Sequence, residues 1–204
     1  CPHTIATNTN ITAVADFRTR DLVLGGQGAP LAPFYHQKLF ENQDLPLAVV
    51  NIGGISNLSI LNPSASPMGY DTGPGNVLMD TWIRKNQNLP YDKNGAWAAR
   101  GAVIPALLNH LLSDAYFKKP APKSIDKAYY AYAWLEKHIK PNHKPEDIQA
   151  TLLHLTAHSI ADAINAQASN TKQVLLCGGG ANNPCLIQAL INYLPQHQIH
   201  TTNK

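Results

Sequence analysis

Apolar and polar positions along the chain divide into short continuous runs and stretches with helical spacing. Near-continuous apolar runs at 11–15 and 47–54 are typical of buried strands. A third run at 57–61 follows directly after Gly53-Gly54, which favours a hairpin. Two more strands are predicted at 171–177 and 198–202.

Apolar residues at helical spacing predict five helices, which begin near Gly75 or cover 104–112, 127–139, 145–166 and 184–194. The aromatic residues of 127–139 would also suit a strand. Segments rich in glycine and proline, at 69–76, 84–103 and 118–124, predict connections. The order of elements predicts an α/β fold in which helices pack against a mixed sheet.

Composition excludes several classes of protein. Of 204 residues, 14% are charged and 44% are apolar, which excludes a highly charged disordered chain. The net charge of +3 is too small to indicate nucleic-acid binding, and no apolar run approaches the ~20 residues of a membrane helix. Three cysteines without a CxxC pair favour a reducing, cytoplasmic location. Because the chain begins at Cys1, we expect a fragment of a longer protein.

Several chemical motifs do not occur in the sequence. It has neither a GxxxxGK[ST] phosphate loop nor a GxSxG nucleophile turn. His154 and His158 have the i, i+4 spacing of metal ligands, but no third ligand is evident. We therefore predict no metal site there and expect both histidines at the surface or its boundary.

Glycine clusters follow three of the predicted strands. In open α/β sheets, ligands bind beyond the carboxyl ends of strands, and glycine lets a phosphate approach the backbone closely. One candidate cradle comprises Asn51, Gly53 and Gly54. A second comprises Gly178, Gly179 and Gly180, which could form a flat surface for a nucleotide ring or ribose. The alternative for each cluster is an ordinary tight turn.

Two groups of charged residues are candidates for chemistry. Asp71 lies in GYDTGPGN at 69–76, a predicted loop that leads into a helix. A substrate could reach its carboxylate there, or the side chain could cap the helix N-terminus. Asp16 and Asp21 flank Arg18 and Arg20. This second group fits either a substrate-binding cluster or a solvated ion-pair network.

Taken together, these segments resemble the anhydro-N-acetylmuramic acid kinase family. The resemblance extends in order over nearly the whole chain. It is carried most specifically by GGQGAPL within 14–33, NIGGISNL within 49–61 and GYDTGPGN within 69–82, with further matches at 90–101, 120–124, 147–160 and 175–187.

The resemblance implies an actin/hexokinase-like (ribonuclease H-like) sugar-kinase fold, with two α/β lobes and ATP in the cleft between them. Residues 1–45 would then be a remnant of the first lobe, and 46–204 the second, nucleotide-binding lobe. The family uses ATP and Mg²⁺ to convert 1,6-anhydro-N-acetylmuramic acid into N-acetylmuramic acid 6-phosphate during cell-wall recycling in the cytoplasm. Its members are typically dimers.

The resemblance also implies roles for individual residues. Asp71 matches the general-base aspartate, which takes a proton from the attacking water. Asn51, Gly53 and Gly54 match a phosphate-contacting turn, and Gly178, Gly179 and Gly180 match the adenosine-side turn. Asp16, Arg18 and Asp21 would border the active cleft.

The sequence also departs from the family pattern. It contains no glycine-rich phosphate loop with a metal-holding aspartate, and it lacks the family's second functional carboxylate. PAPKSIDKAYY at 120–130 differs from the usual continuation. We therefore expect the chain alone to be inactive and, with sheet edges exposed, to self-associate. The alternatives are a non-catalytic remnant of kinase ancestry, or a hydrolase or sugar-binding protein that uses Asp71 without ATP.

Overall fold

A mixed five-stranded sheet forms the centre of the structure, a computed structural model that describes residues 1–202. The sheet order is β3-β2-β1-β4-β5. The first three strands are antiparallel neighbours, whereas β4 pairs in parallel with both β1 and β5. The strands are β1 (Leu47–Ile52), β2 (Ile55–Leu61), β3 (Met68–Pro74), β4 (Gln173–Cys177) and β5 (Gln198–Thr201).

Eight α-helices accompany this sheet within the described residues. They are α1 (Pro2–Thr9), α2 (Thr19–Val23), α3 (Ala32–Leu39), α4 (Val77–Gln87), α5 (Pro105–Leu112), α6 (Tyr132–Glu136), α7 (Pro145–Gln167) and α8 (Pro184–Tyr193). Short 3₁₀ turns at Lys93–Gly95, Ala98–Arg100, Lys127–Tyr130 and Gly179–Asn182 complete the chain. No helix among residues 1–202 is long and apolar enough to cross a membrane.

Helix α7 crosses one face of the sheet and forms the main core. Fourteen of its 23 residues are buried, because it lies between the sheet and the helices α4, α5 and α8. Alternate residues of the central strands, such as Val50, Leu58 and Val174, face this core. The continuous apolar runs of β1 and β4 follow from burial on both faces.

The other face of the sheet is only partly covered. Leu47, Val49 and Leu61 form a small second cluster there, beside Phe40. Helix α3 lies over the same face, where the buried His36 Nδ1 is 2.9 Å from Ser59 Oγ. At the end of β1 this face becomes polar, where Asn51 pairs with Asn57 of β2.

Three of the predicted elements are wrong. Residues 11–15 form no strand, because they pair with nothing and leave Ile11 and Val14 at the surface. The predicted helix at 127–139 divides into the 3₁₀ turn and the short helix α6. The predicted loop at 69–76 is mostly strand β3, since a distant segment at 116–125 covers its polar residues.

The remaining predicted strands and helices are confirmed to within a few residues, as is the α/β class. The predicted second lobe begins at residue 46, one position before β1, and the division into two lobes stays a prediction.

Candidate functional site

A cleft opens where β1 and β4 end, between the N-terminus of α4 and the turn that leads into α8. Its cavity has a volume of about 510 Å³. The residues that line it are Asn76, Met79, Asp80, Pro90, Tyr91, Asp92, Lys93, Asn94, Gly179, Gly180, Asn182 and Asn183.

The glycine turn at 178–180 forms one wall of this cleft. Gly178 has φ = +80°, a conformation that side chains rarely adopt, and a Cβ there would lie 2.4 Å from Asn51 Oδ1. A Cβ at Gly180 would lie 2.3 Å from Ile52 Cγ2. The turn therefore packs directly against the end of β1. Gly179 and Gly180 line the cavity, whereas Gly178 does not.

The hairpin turn between β1 and β2 is joined to the start of α4. The backbone N–H of Asn76 donates to Gly53 O at 2.8 Å, and Gly75 N–H donates to Gly54 O at 2.9 Å. The Asn76 side chain also donates through Nδ2 to Ile52 O at 3.1 Å. Asn51, Gly53 and Gly54 thus adjoin the cleft without lining its cavity.

Asp71 lies in strand β3, where three hydrogen bonds hold it. Ile125 N–H donates to its Oδ2 at 3.0 Å, its own N–H donates to Lys123 O at 3.0 Å, and Tyr116 Oη donates to its carbonyl at 2.7 Å. The expectation of a loop position is therefore wrong. The capping alternative is wrong too, because the carboxylate binds the 116–125 segment and not the amides of α4.

Burial raises the pKa of the Asp71 carboxyl above its ordinary value. The Ile125 hydrogen bond and the positive charge of Arg18 oppose this shift and lower the pKa in part. The side chain is 8% exposed. A carboxylate with a raised pKa is a better proton acceptor, so this environment suits a general base.

One row of paired residues connects Asp71 to the cleft. Asp71 pairs with Asn57, Asn57 with Asn51, and Asn51 with Cys177, so their side chains share one face of the sheet. Strands lie ~4.8 Å apart, which puts Asp71 about 10 Å from Asn51. The row lies on the partly covered face, opposite α7.

The segment with Asp16, Arg18 and Asp21 braces a turn. Arg18 Nε donates to Gly28 O at 2.8 Å, Gly28 N–H donates to Asp21 Oδ2 at 2.7 Å, and Thr19 Oγ1 donates to Asp16 Oδ1. Among residues 1–202, neither Asp16 nor Asp21 lies within 4.0 Å of a lysine or arginine nitrogen, so the alternative of an ion-pair network is not observed. Arg18 lies close enough to lower the pKa of Asp71.

Two charged residues near the cleft escaped the sequence analysis. Asp80, in the first turn of α4, lines the cavity. Burial raises the pKa of its carboxyl, against the opposing charges of Arg84 and Lys127. Asp80 could have been noticed four residues after Asn76, at the start of a predicted helix. Nothing in the local sequence around Lys127 reveals that it lies beside Gly54.

The described residues hold no group of three or more metal-ligating side chains. His154 contacts Tyr193 Oη at 3.0 Å, and His158 contacts Asp162 at 3.0 Å, so each has another partner. Mg²⁺ in nucleotide sites commonly takes one or two carboxylates and completes its shell with phosphates and water. The Asp80 carboxylate in the cleft fits that requirement.

The sheet order, the long helix across it and the cleft at the strand ends are features of the actin/hexokinase-like fold. The fold agrees with the crystal structure of xylulose kinase from Rhodospirillum rubrum, with a TM-score of 0.51 and 10% identity over 78% of this chain and 35% of that one.

The sequence comparisons identify the family. The family model for anhydro-N-acetylmuramic acid kinase matches residues 2–204. Proteins of that name from Legionella pneumophila strains Corby and Paris are each 54% identical over 195 residues, which are 96% of this chain and 53% of each relative. The chain belongs to the anhydro-N-acetylmuramic acid kinase family, and it spans about half the length of these curated relatives.

Proposed function

We propose that this chain supplies the nucleotide-binding wall and the general base of an ATP-dependent sugar kinase. The reaction would open 1,6-anhydro-N-acetylmuramic acid with water and phosphorylate it to N-acetylmuramic acid 6-phosphate, in cytoplasmic cell-wall recycling. The observation that carries this proposal is the placement of Asp71, buried and oriented, in the same row of the sheet as Asn51 at the cleft.

Asp71 acts on the attacking water. Because Ile125 occupies Oδ2, the other carboxylate oxygen is left to accept a proton as the water oxygen bonds to the anomeric carbon. The bond from that carbon to O6 breaks, and O6 takes the γ-phosphoryl group while ADP leaves. Family membership and the raised pKa of Asp71 both support this role.

The cleft suits the nucleotide. Its volume of about 510 Å³ lies within the usual range of ligand pockets. The backbone of Gly179 and Gly180 offers a surface without side chains for adenosine, and the hairpin turn at Gly53-Gly54 lies toward the phosphates. When bound, Mg²⁺ would neutralise phosphate charge, and Asp80 would hold it.

We further propose that residues 46–204 form the second lobe, that 1–45 belong to the first, and that the protein is a homodimer. Eleven of the fifteen exposed large apolar side chains in residues 1–202 lie between positions 5 and 39, which supports a partner surface there.

Nucleotide binding tests the first half of the proposal. Titration calorimetry of the chain with ADP and Mg²⁺ should detect binding, whereas incubation with ATP, Mg²⁺ and the anhydro sugar should give no turnover. The second expectation rests on the missing phosphate loop. Measurable turnover would refute the inactivity of the isolated chain, and failure to bind nucleotide would favour an ATP-free or non-catalytic protein.

A chimera tests the role of Asp71. The matched 195 residues would replace their counterparts in the full-length Legionella pneumophila relative. Asp71→Asn should lower kcat by a factor of about 10² to 10⁴ and leave nucleotide binding unchanged, since general bases contribute that much. The matched control is Asp44→Asn at an exposed carboxylate. Retained activity in the Asp71 variant would remove this residue from the mechanism.

A further inference from the structure

Lys127 lies along the hairpin turn at the edge of the cleft. A Cβ added to Gly54 would lie 3.1 Å from Lys127 Cε, 3.3 Å from Cδ and 3.5 Å from Nζ. The absence of a side chain at position 54 therefore makes room for the lysine stem. Its ammonium group is brought to the place where the hairpin meets the start of α4.

The backbone on either side of Lys127 is held in place, although the side chain is exposed. Asp126 Oδ1 accepts a hydrogen bond from Ala128 N–H at 2.7 Å and caps the 3₁₀ turn Lys127–Tyr130. Tyr130 ends this turn and is completely buried. Two residues before Lys127, Ile125 N–H donates to Asp71. The position of the lysine is thus set by the fold.

The positive charge of Lys127 has no close protein partner. Among residues 1–202, no carboxylate lies within 4.0 Å of its ammonium, and no hydrogen bond engages it. Its charge lowers the pKa of the Asp80 carboxyl in part, in opposition to the larger effect of burial. The ammonium therefore keeps its donors for a ligand.

Two backbone N–H groups at the start of α4 are already hydrogen-bonded within the protein. The backbone N–H groups of Asn76 and Val77 already donate to the carbonyls of Gly53 and Gly54, at 2.8 and 3.2 Å. These two amides are used by the hairpin. Anions at a helix N-terminus are normally bound through such amides together with the helix dipole. A polyphosphate here needs a further cation.

We propose that Lys127 binds the terminal phosphates of the nucleotide and thereby favours the triphosphate over nucleosides without phosphate. This inference rests on the nucleotide site proposed above. The same segment, residues 125–127, also contacts Asp71 through Ile125. Phosphate bound by Lys127 would therefore hold this segment against the base.

The test compares ligands that differ only in phosphate. Titration calorimetry of the 204-residue chain in Mg²⁺ buffer would use a non-hydrolysable ATP analogue, ADP and adenosine. Lys127→Ala should weaken binding of the analogue about tenfold, the usual size of one charge-assisted contact, and leave adenosine binding unchanged. Lys127→Arg should restore the affinity to within about threefold, because it keeps the charge.

Two further variants distinguish phosphate binding by Lys127 from a general effect of substitution on the structure. Gly54→Ala should reduce affinity for the analogue more than for adenosine, because its methyl group displaces the lysine stem. Lys118→Ala removes an exposed lysine from the same connecting region and should change nothing. Circular dichroism would establish that each variant is folded.

The outcomes are distinct. If the unmodified chain binds the analogue and Lys127→Ala binds it equally well, the inference is wrong while the nucleotide site stands. An equal loss for adenosine and the analogue would also overturn it, since that pattern indicates a structural role. If the unmodified chain binds none of the three ligands, both the nucleotide site and this inference fail.

Discussion

Substitution of Gly180 by alanine should destabilise the fold at the floor of the cleft. The new methyl group would lie 2.3 Å from Ile52 Cγ2 and 2.7 Å from Ile52 Cβ. Carbon atoms in contact are normally about 3.5 to 4.0 Å apart, so the turn and β1 must separate by more than 1 Å. Ile52 is fully buried and cannot swing into solvent. Overpacking of this kind costs about 1 to 3 kcal/mol.

Thermal and urea denaturation followed by circular dichroism would measure the effect. For a chain of this length we expect Tm to fall by roughly 3 to 10 °C, at about 2 to 4 °C per kcal/mol. Gly179→Ala is the matched control. Its methyl group would meet only Asn76 Nδ2 at 3.6 Å, an ordinary contact, and stability should stay within about 0.5 kcal/mol.

A double-mutant cycle identifies the contact responsible. Ile52→Ala alone should cost about 2 to 5 kcal/mol, because it opens a cavity in the core. In the double variant, the methyl group at position 180 enters that space, so the combined cost should be smaller than the sum by about 1 kcal/mol. An unchanged Tm for Gly180→Ala, or strictly additive costs, would refute the steric argument.

Three other predictions follow from the same structure. The buried Asp92 carboxylate accepts hydrogen bonds from Trp97 N–H and Ala98 N–H, both at 2.9 Å. Asp92→Ala should therefore lower the free energy of unfolding, measured by urea denaturation, by about 2 to 4 kcal/mol. A loss below about 0.5 kcal/mol would contradict this prediction. Burial raises the pKa of Asp71, so the folded state binds its proton more tightly than the unfolded state and loses stability as pH rises between the two pKa values. The non-ionising Asp71→Asn variant should therefore gain stability relative to the parent between acidic and neutral pH, and an equal difference at both would argue against the shift. Exposed apolar residues between positions 5 and 39 predict self-association in light scattering, which a monomer at all concentrations would exclude.

Local sequence patterns predicted the elements whose burial follows from the apolar residues they contain themselves. The β1–β2 hairpin has its apolar run and its glycine pair within fifteen residues, and α7 has proline and acidic residues at its start. By contrast, β3 contains two glycines and an aspartate, and its sequence predicts a loop. It forms a strand because residues distant in sequence, Tyr116, Lys123 and Ile125, make hydrogen bonds to Asp71 at its outer edge.

The candidate site likewise combines residues that the local sequence predicted with residues that it did not. The turn at 178–180 was found because its glycines follow a strand, and the close approach to Ile52 gives their physical reason. Asp80 and Lys127 were missed. Their proximity to the cleft depends on how α4 and the 3₁₀ turn at Lys127–Tyr130 pack against the hairpin, and no short-range spacing encodes that packing.

A register shift in the sheet determines which side chain of β3 faces the partly covered side. Ser56 pairs with Gly73 but Asn57 pairs with Asp71, so Thr72 is the extra residue of a bulge. Without the extra residue, Asn57 would face Thr72, and Asp71 would turn toward α7, since a shift of one residue reverses the faces of a strand.

The bulge also brings Asp71 close to its neighbour across the strands. Its backbone N–H and carbonyl bind Lys123 and Tyr116, so both groups point away from β2. Asp71 and Asn57 therefore form a pair without backbone hydrogen bonds between them. In antiparallel sheets such pairs have Cα atoms only about 4.5 Å apart, which brings their side chains together. Asn57 thus lies between Asp71 and Asn51, and a continuous polar row connects the general-base candidate to the cleft. The bulge at Thr72, rather than a flexible loop, gives Asp71 its position.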